Sequence, residues 1–128
     1  MKKRGLLVIC FALTTAACHS KPTAAGVCGK LVAAGVAANC KSGTPGGLGA
    51  AASEQAVFDL PSVPGETGQV LRFDKSSDFE ATTKAYDAVA VLAGRHRYGS
   101  SAALIFVQLN SGASTDIGAK AEAVVNAL

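Results

Sequence analysis

The chain has 128 residues, 49% of them hydrophobic and few aromatic, with 12 basic and 9 acidic side chains and a net charge of +3. Three of the positive charges, Lys2, Lys3 and Arg4, sit in the first four residues, and beyond them the basic and acidic residues balance. That neutrality excludes the basic face a nucleic-acid binder needs, and the length supports one domain with a modest core.

Behind the three cations, residues 6–13 form a short apolar run, and the small residues Thr14 to Ala17 follow. This is the layout of a secretory signal. The apolar run falls far short of the ~18–20 residues that span a bilayer as a helix. It ends in Leu13-Thr14-Thr15-Ala16-Ala17-Cys18, which resembles the lipobox of bacterial lipoproteins, with Thr15 where that pattern most often carries Leu. The resemblance implies cleavage between Ala17 and Cys18 and a diacylglyceryl group on the Cys18 thiol, with further acylation of the new N-terminus. A thiolate must attack the lipid donor, and the peptidase needs small side chains before the cut. More than one acyl chain anchors a protein stably, at ~0.8 kcal/mol per buried methylene. His19 stands where lipoproteins kept at the inner membrane often carry Asp, so the resemblance points to the periplasmic side of the outer membrane. The competing reading, an ordinary signal cut elsewhere, leaves Cys18 incidental.

Residues 1–17 are thus expected to be removed, 18–23 to form a lipidated tether, and 24–128 to form a single small α/β domain. Cys10 leaves with the leader and Cys18 takes lipid, so Cys28 and Cys40 remain as an even pair in an oxidising compartment. Residues 24–34 read as a helix, with Val27, Leu31 and Ala34 on one face, and Gly35 is a natural stop. On an unbroken helix Cys28 and Cys40 would lie ~18 Å apart, whereas a disulfide needs Cα atoms ~4.4–6.8 Å apart. The chain must therefore break at Gly35 and return as a strand or turn. Such a bridge stabilises by about 3 kcal/mol in the chain-entropy model. The rival reading, a metal pair, lacks further ligands nearby.

Residues 41–52, KSGTPGGLGAAA, read as a Gly/Ala-rich connector. A phosphate loop needs a preceding strand and a closing Lys-Ser/Thr, and neither is apparent; VPGETG at 63–68 also lacks the lysine. Residues 54–60 suggest a strand ended by Pro61, and residues 69–73 a second beyond the Pro64-Gly65 turn. Ser77 and Glu80 form a capping-box signature opening a helix to Gly94, with Phe79, Thr83, Tyr86, Ala90 and Ala93 on one face. Residues 103–109 are almost continuously apolar, so the third strand should be the most buried. A last helix follows Ser111-Gly112, lined by Ile117, Ala121, Val124 and Leu128.

The order α-β-β-α-β-α predicts an α+β two-layer sandwich: a three-stranded mixed sheet with helices on one face and a disulfide-clipped N-terminal helix. The passage from 69 to 109 should be a right-handed crossover between parallel strands. The segments VCGKLVAAGVAANC (27–40) and GLGAAA (47–52) resemble a loosely defined group of small bacterial lipoproteins of unknown function, which implies no activity to carry over.

Chemistry is sparse. His19 and His96 are the only histidines, and no HExxH, CxxC or GxSxG motif occurs. No catalytic residue, cofactor or metal is expected. Arg95, His96 and Arg97, with Tyr98 behind them, form the one cluster that could bind an anion. The alternative is a set of cations at a helix C-terminus, facing water and complementing the dipole. The function that fits best is a lipid-anchored, non-catalytic binding or structural module meeting an envelope protein or the cell wall, with no nucleic-acid partner. A periplasmic enzyme or small-ligand carrier using residues 95–98 is the second reading.

Overall fold

The computed structural model describes residues 20–128; the leader, Cys18 and His19 lie outside the described residues. Helix α1 (Ala24–Ala33) starts at Thr23, whose hydroxyl oxygen accepts the Gly26 N–H at 2.9 Å. It stops where expected. Gly35 takes φ 78°, its N–H bonds to the Val32 carbonyl, and the Val36 N–H bonds to the Leu31 carbonyl. This is a Schellman ending, with Leu31 and Val36 both buried beside it. The chain turns back into β1 (Ala38–Gly43), which brings Cys40 beside Cys28 in a disulfide with Cα atoms 6.2 Å apart.

The sheet departs from expectation. It has five strands, all antiparallel, in the order β1-β2-β3-β5-β4, with β2 (Glu54–Asp59), β3 (Thr67–Arg72), β4 (Arg97–Ser100) and β5 (Ile105–Leu109). The connector expected at 41–52 therefore gives its first residues to β1 and holds a short 3-10 turn at Gly47–Gly49. The helical passage after β3 does join two strands that point the same way, but these are β3 and β4. Strand β5 folds back as a hairpin and inserts between them. The expected parallel pairing of residues 69–73 with 103–109 is thereby replaced by an antiparallel one.

Helices cover both faces, so the expected two-layer arrangement gives way to three layers. On one face α1 and α4 (Thr115–Asn126) bring Val27, Leu31, Ala121 and Val125 onto Phe58, Val70, Ile105 and Val107. On the other, α2 (Ser76–Ala88) sets Phe79 and Tyr86 against Leu71, Phe73 and Phe106. The Phe73 and Phe79 rings meet edge to face at 5.9 Å, a favoured aromatic geometry. Val70 and Leu71 serve opposite layers, as the two-residue strand period demands. The expected capping box is not made: α2 begins after Lys75 with no side-chain cap, and it breaks at Val89 before a four-residue helix α3 (Ala90–Ala93).

The register defines two ends of the sheet. Glu54, Arg72, Ser100 and Ile105 lie at one, Asp59, Thr67, Arg97 and Leu109 at the other, about 17 Å away at ~3.3 Å per residue. The N-terminal segment belongs to the first. Glu54 accepts the Ala24 N–H at 2.9 Å and Arg72 at 3.0 Å, tying the start of α1 to β2 and β3. Lys21 and Pro22 share a shallow cleft there with Ala103 and Leu128.

Candidate functional site

On the face α2 leaves partly bare, a groove of about 390 Å³ opens above β2, β3 and β5, running from Gln55 near the first end to Asn110 and Ser111 at the far one. Its floor is a row of half-buried glutamines, Gln55, Gln69 and Gln108, joined by their side-chain amides. One backbone group sets the polarity of the whole row. The Ala93 carbonyl at the end of α3 can only accept, so the Gln108 amide donates to it at 2.8 Å. Gln108 Oε1 is left to accept from Gln69 at 2.8 Å, and Gln69 Oε1 accepts from Gln55 at 2.8 Å. The second Gln69 N–H reaches the Tyr86 hydroxyl at 3.1 Å, and Tyr86 is itself 7% exposed.

The row therefore has open valences. Among the described residues, Gln55 Oε1, one N–H each of Gln55 and Gln108, and the Tyr86 hydroxyl proton have no protein partner in the hydrogen bonds this network makes. Leu92, 87% exposed, walls the groove, and Val91 beside it is 98% exposed. Asn110 and Ser111 form the rim. No charged side chain lines the groove; Glu66 reaches the rim only by accepting from Asn110 at 2.7 Å.

The sequence-selected cluster falls elsewhere. Arg95 and His96 follow the end of α3 and lead into the edge strand β4, which begins at Arg97. The Arg95 Nε lies 3.2 Å from His96 Nε2, while strand alternation sends Arg97 to the opposite face. Arg97 turns toward α2, pairing with Asp87 and donating to the Gly94 carbonyl at 2.7 Å. His96 turns the other way, under α4, and is 3% exposed. Its Nε2 lies 2.7 Å from the Ala113 carbonyl and its Nδ1 2.9 Å from the Tyr98 hydroxyl. A carbonyl only accepts, so the 2.7 Å contact to Ala113 calls for a proton on Nε2 with Tyr98 donating to Nδ1, whereas the Arg95 Nε–H, 3.2 Å from the same Nε2, calls for that nitrogen to accept. Gly118 of α4 sits directly over this pair: a Cβ there would stand 2.5 Å from both His96 Nδ1 and the Tyr98 oxygen.

Arg95 alone of the three residues is exposed. With His96, Tyr98, Thr115 and Glu122 it borders a hollow of about 240 Å³, where an anion would also meet the Glu122 carboxylate. Burial first and the Glu122 charge second push the Tyr98 phenol above its ordinary value, while Arg95 pulls it back. Cys18 lies outside the described residues, and Cys28 and Cys40 are the disulfide. Among the described residues no three His, Cys, Asp or Glu side chains gather as a metal site, and no helix is long and apolar enough to cross a membrane.

The glutamine row was not singled out from the sequence. A signal existed: Gln108 interrupts the apolar run of β5, and Gln55 and Gln69 stand next to buried apolar strand residues, Ala56 and Val70. No family model, curated protein or solved structure matches the chain.

Proposed function

We propose that the chain is a lipid-anchored envelope module that binds and does not catalyse, held by acylated Cys18 to the periplasmic face of the outer membrane. On this reading it belongs with the small bacterial lipoproteins it resembles, and its partner is an envelope protein or a cell-wall component. What carries the reading is the lipobox-like run Leu13 to Cys18, set just ahead of the start of α1 at Ala24.

The short tether has a geometric consequence. From Cys18 to Ala24 the chain can span only about 20 Å, at ~3.3–3.6 Å per residue. The end of the sheet bearing Glu54 and Ala103 then faces the membrane, and the groove runs from Gln55 beside it to the Asn110–Ser111 rim that faces away. Lys21 and Lys30 border the cleft at the near end, a charge sign suited to anionic headgroups. The groove's amides supply hydrogen bonds but no nucleophile–base pair, which favours binding over catalysis. A site built on Arg95, His96 and Arg97 together has less support, because Arg97 turns away to Asp87 while Arg95 and His96 share a hollow with the Glu122 carboxylate.

The test is the mass of the protein extracted from its own membranes in mild detergent. The expected species spans residues 18–128 with acyl chains and one disulfide, and the Cys18→Ser variant should lose both the lipid and membrane retention. A wild-type mass without lipid, cut at another position, would overturn the anchor.

A further inference from the structure

We infer that the groove over Gln55, Gln69 and Gln108 is a binding site for a neutral oligosaccharide bearing acetamido groups, presented away from the membrane. The inference deepens the proposed function and rests on it for the orientation alone; the chemistry of the groove stands independently.

Three observations select the ligand. The lining is uncharged, so nothing there compensates the desolvation of a phosphate, carboxylate or ammonium group. Its open valences include both donors and an acceptor at fixed positions, since the Ala93 carbonyl orients every amide in the row. A ligand amide can satisfy both kinds at once, and sugar hydroxyls can take either role. Finally, β2, β3 and β5 are all interior strands, paired on both sides. A polypeptide therefore cannot add to them as a strand, and recognition must run through side chains above the sheet.

The arrangement also suits the shape of a glycan. Gln69 and Gln108 oppose each other directly on adjacent strands, about 4.8 Å apart, a spacing comparable to one sugar unit. Leu92 and the half-buried Val57 offer aliphatic surface to an acetamido methyl or to the C–H face of a ring. Leu92 has little reason to be exposed on the fold's own account, because α3 buries none of its residues.

The experiment is an NMR titration of the full lipid-bearing protein in nanodiscs with the β-1,4-linked trimer of N-acetylglucosamine. Cellotriose, which has the same linkage without acetamido groups, and a blocked dialanine peptide serve as comparisons. The trimer should shift the side-chain amides of Gln55 and Gln108 and the Leu92 methyls in a saturable way. Cellotriose should bind at least tenfold more weakly. Gln55 sits at the free end of the row, and Leu92 is exposed. Gln55→Leu and Leu92→Ala should therefore each weaken the trimer at least fivefold. Leu92→Ala should leave the melting temperature unchanged, and Gln55→Leu, which frees Gln69 Oε1, should lower it by a few degrees without unfolding the protein.

Absence of a saturable shift with the trimer would overturn the site. Equal binding of cellotriose would overturn acetamido recognition, and preferential binding of the peptide would overturn the glycan assignment. An unlipidated protein that binds the trimer would remove the anchor and keep the groove. A lipidated protein that does not bind it would do the reverse.

Discussion

Replacing Gly118 by Ala is expected to destabilise the protein, although the same change in most helices stabilises. An exposed helical glycine costs roughly 1 kcal/mol relative to alanine, so Gly→Ala usually gains about that much. At Gly118 the new methyl would lie 2.5 Å from His96 Nδ1 and from the Tyr98 oxygen, and 2.8 Å from His96 Cε1. These are not the free ends of flexible chains. His96 is held at both nitrogens and Tyr98 is fixed by the bond between them. Overpacking of this kind costs about 1–3 kcal/mol, and parting Tyr98 from the buried imidazole adds about 1 kcal/mol or more. Against the helix gain, the net loss is about 2 kcal/mol, or roughly 10 °C in melting temperature for a domain of this size.

Gly29 provides the internal control. It lies on the exposed side of α1, and a Cβ there meets nothing within 4 Å. Gly29→Ala should raise stability by about 1 kcal/mol. Urea and thermal denaturation followed by circular dichroism would measure both variants. If Gly118→Ala stabilised as Gly29→Ala does, the His96–Tyr98–Gly118 contact would not be the packing constraint argued here.

Breaking the Cys28–Cys40 bridge, by reductant or by the double Cys→Ala variant, should cost about 3 kcal/mol from the entropy of the loop it closes. Cys40 is exposed, so reductant has access, and a melting temperature unmoved by reduction would contradict this. The raised Tyr98 pKa makes a prediction of definite sign. The folded state holds the phenol proton more tightly than the unfolded one. The resulting stabilisation is complete below about pH 10, the ordinary tyrosine value, and is lost as pH rises through the folded value. Melting temperature should therefore fall more steeply above about pH 10 for the wild type than for Tyr98→Phe, and parallel profiles would refute the assignment.

The strongest error in reading the sequence came from β5. The expected parallel pairing rests on the strand–helix–strand order from 69 to 109, whereas the run Ile105-Phe106-Val107 reports that both faces of the strand are covered. Helix α4 covers one face and α2 the other, which the same residues could have suggested. Strand β4 was invisible for a different reason. Arg97-Tyr98-Gly99-Ser100 is too short and too polar to show an alternating pattern, and it forms only because β5 pairs with it.

What the sequence determined by itself is local. Gly35 ends α1 because a left-handed residue is needed there, and the twelve-residue separation of Cys28 and Cys40 then demands a return strand. The helices at 24–33 and 115–126 follow from apolar spacing along their own turns. The meaning of single side chains was decided only by tertiary structure. Adjacent residues entering a strand face opposite ways, so His96 and Arg97 part to opposite layers, whereas Gln55, Gln69 and Gln108, far apart in sequence, meet in one row. Such convergence depends on which strands are neighbours and in what register, and no local pattern carries that information.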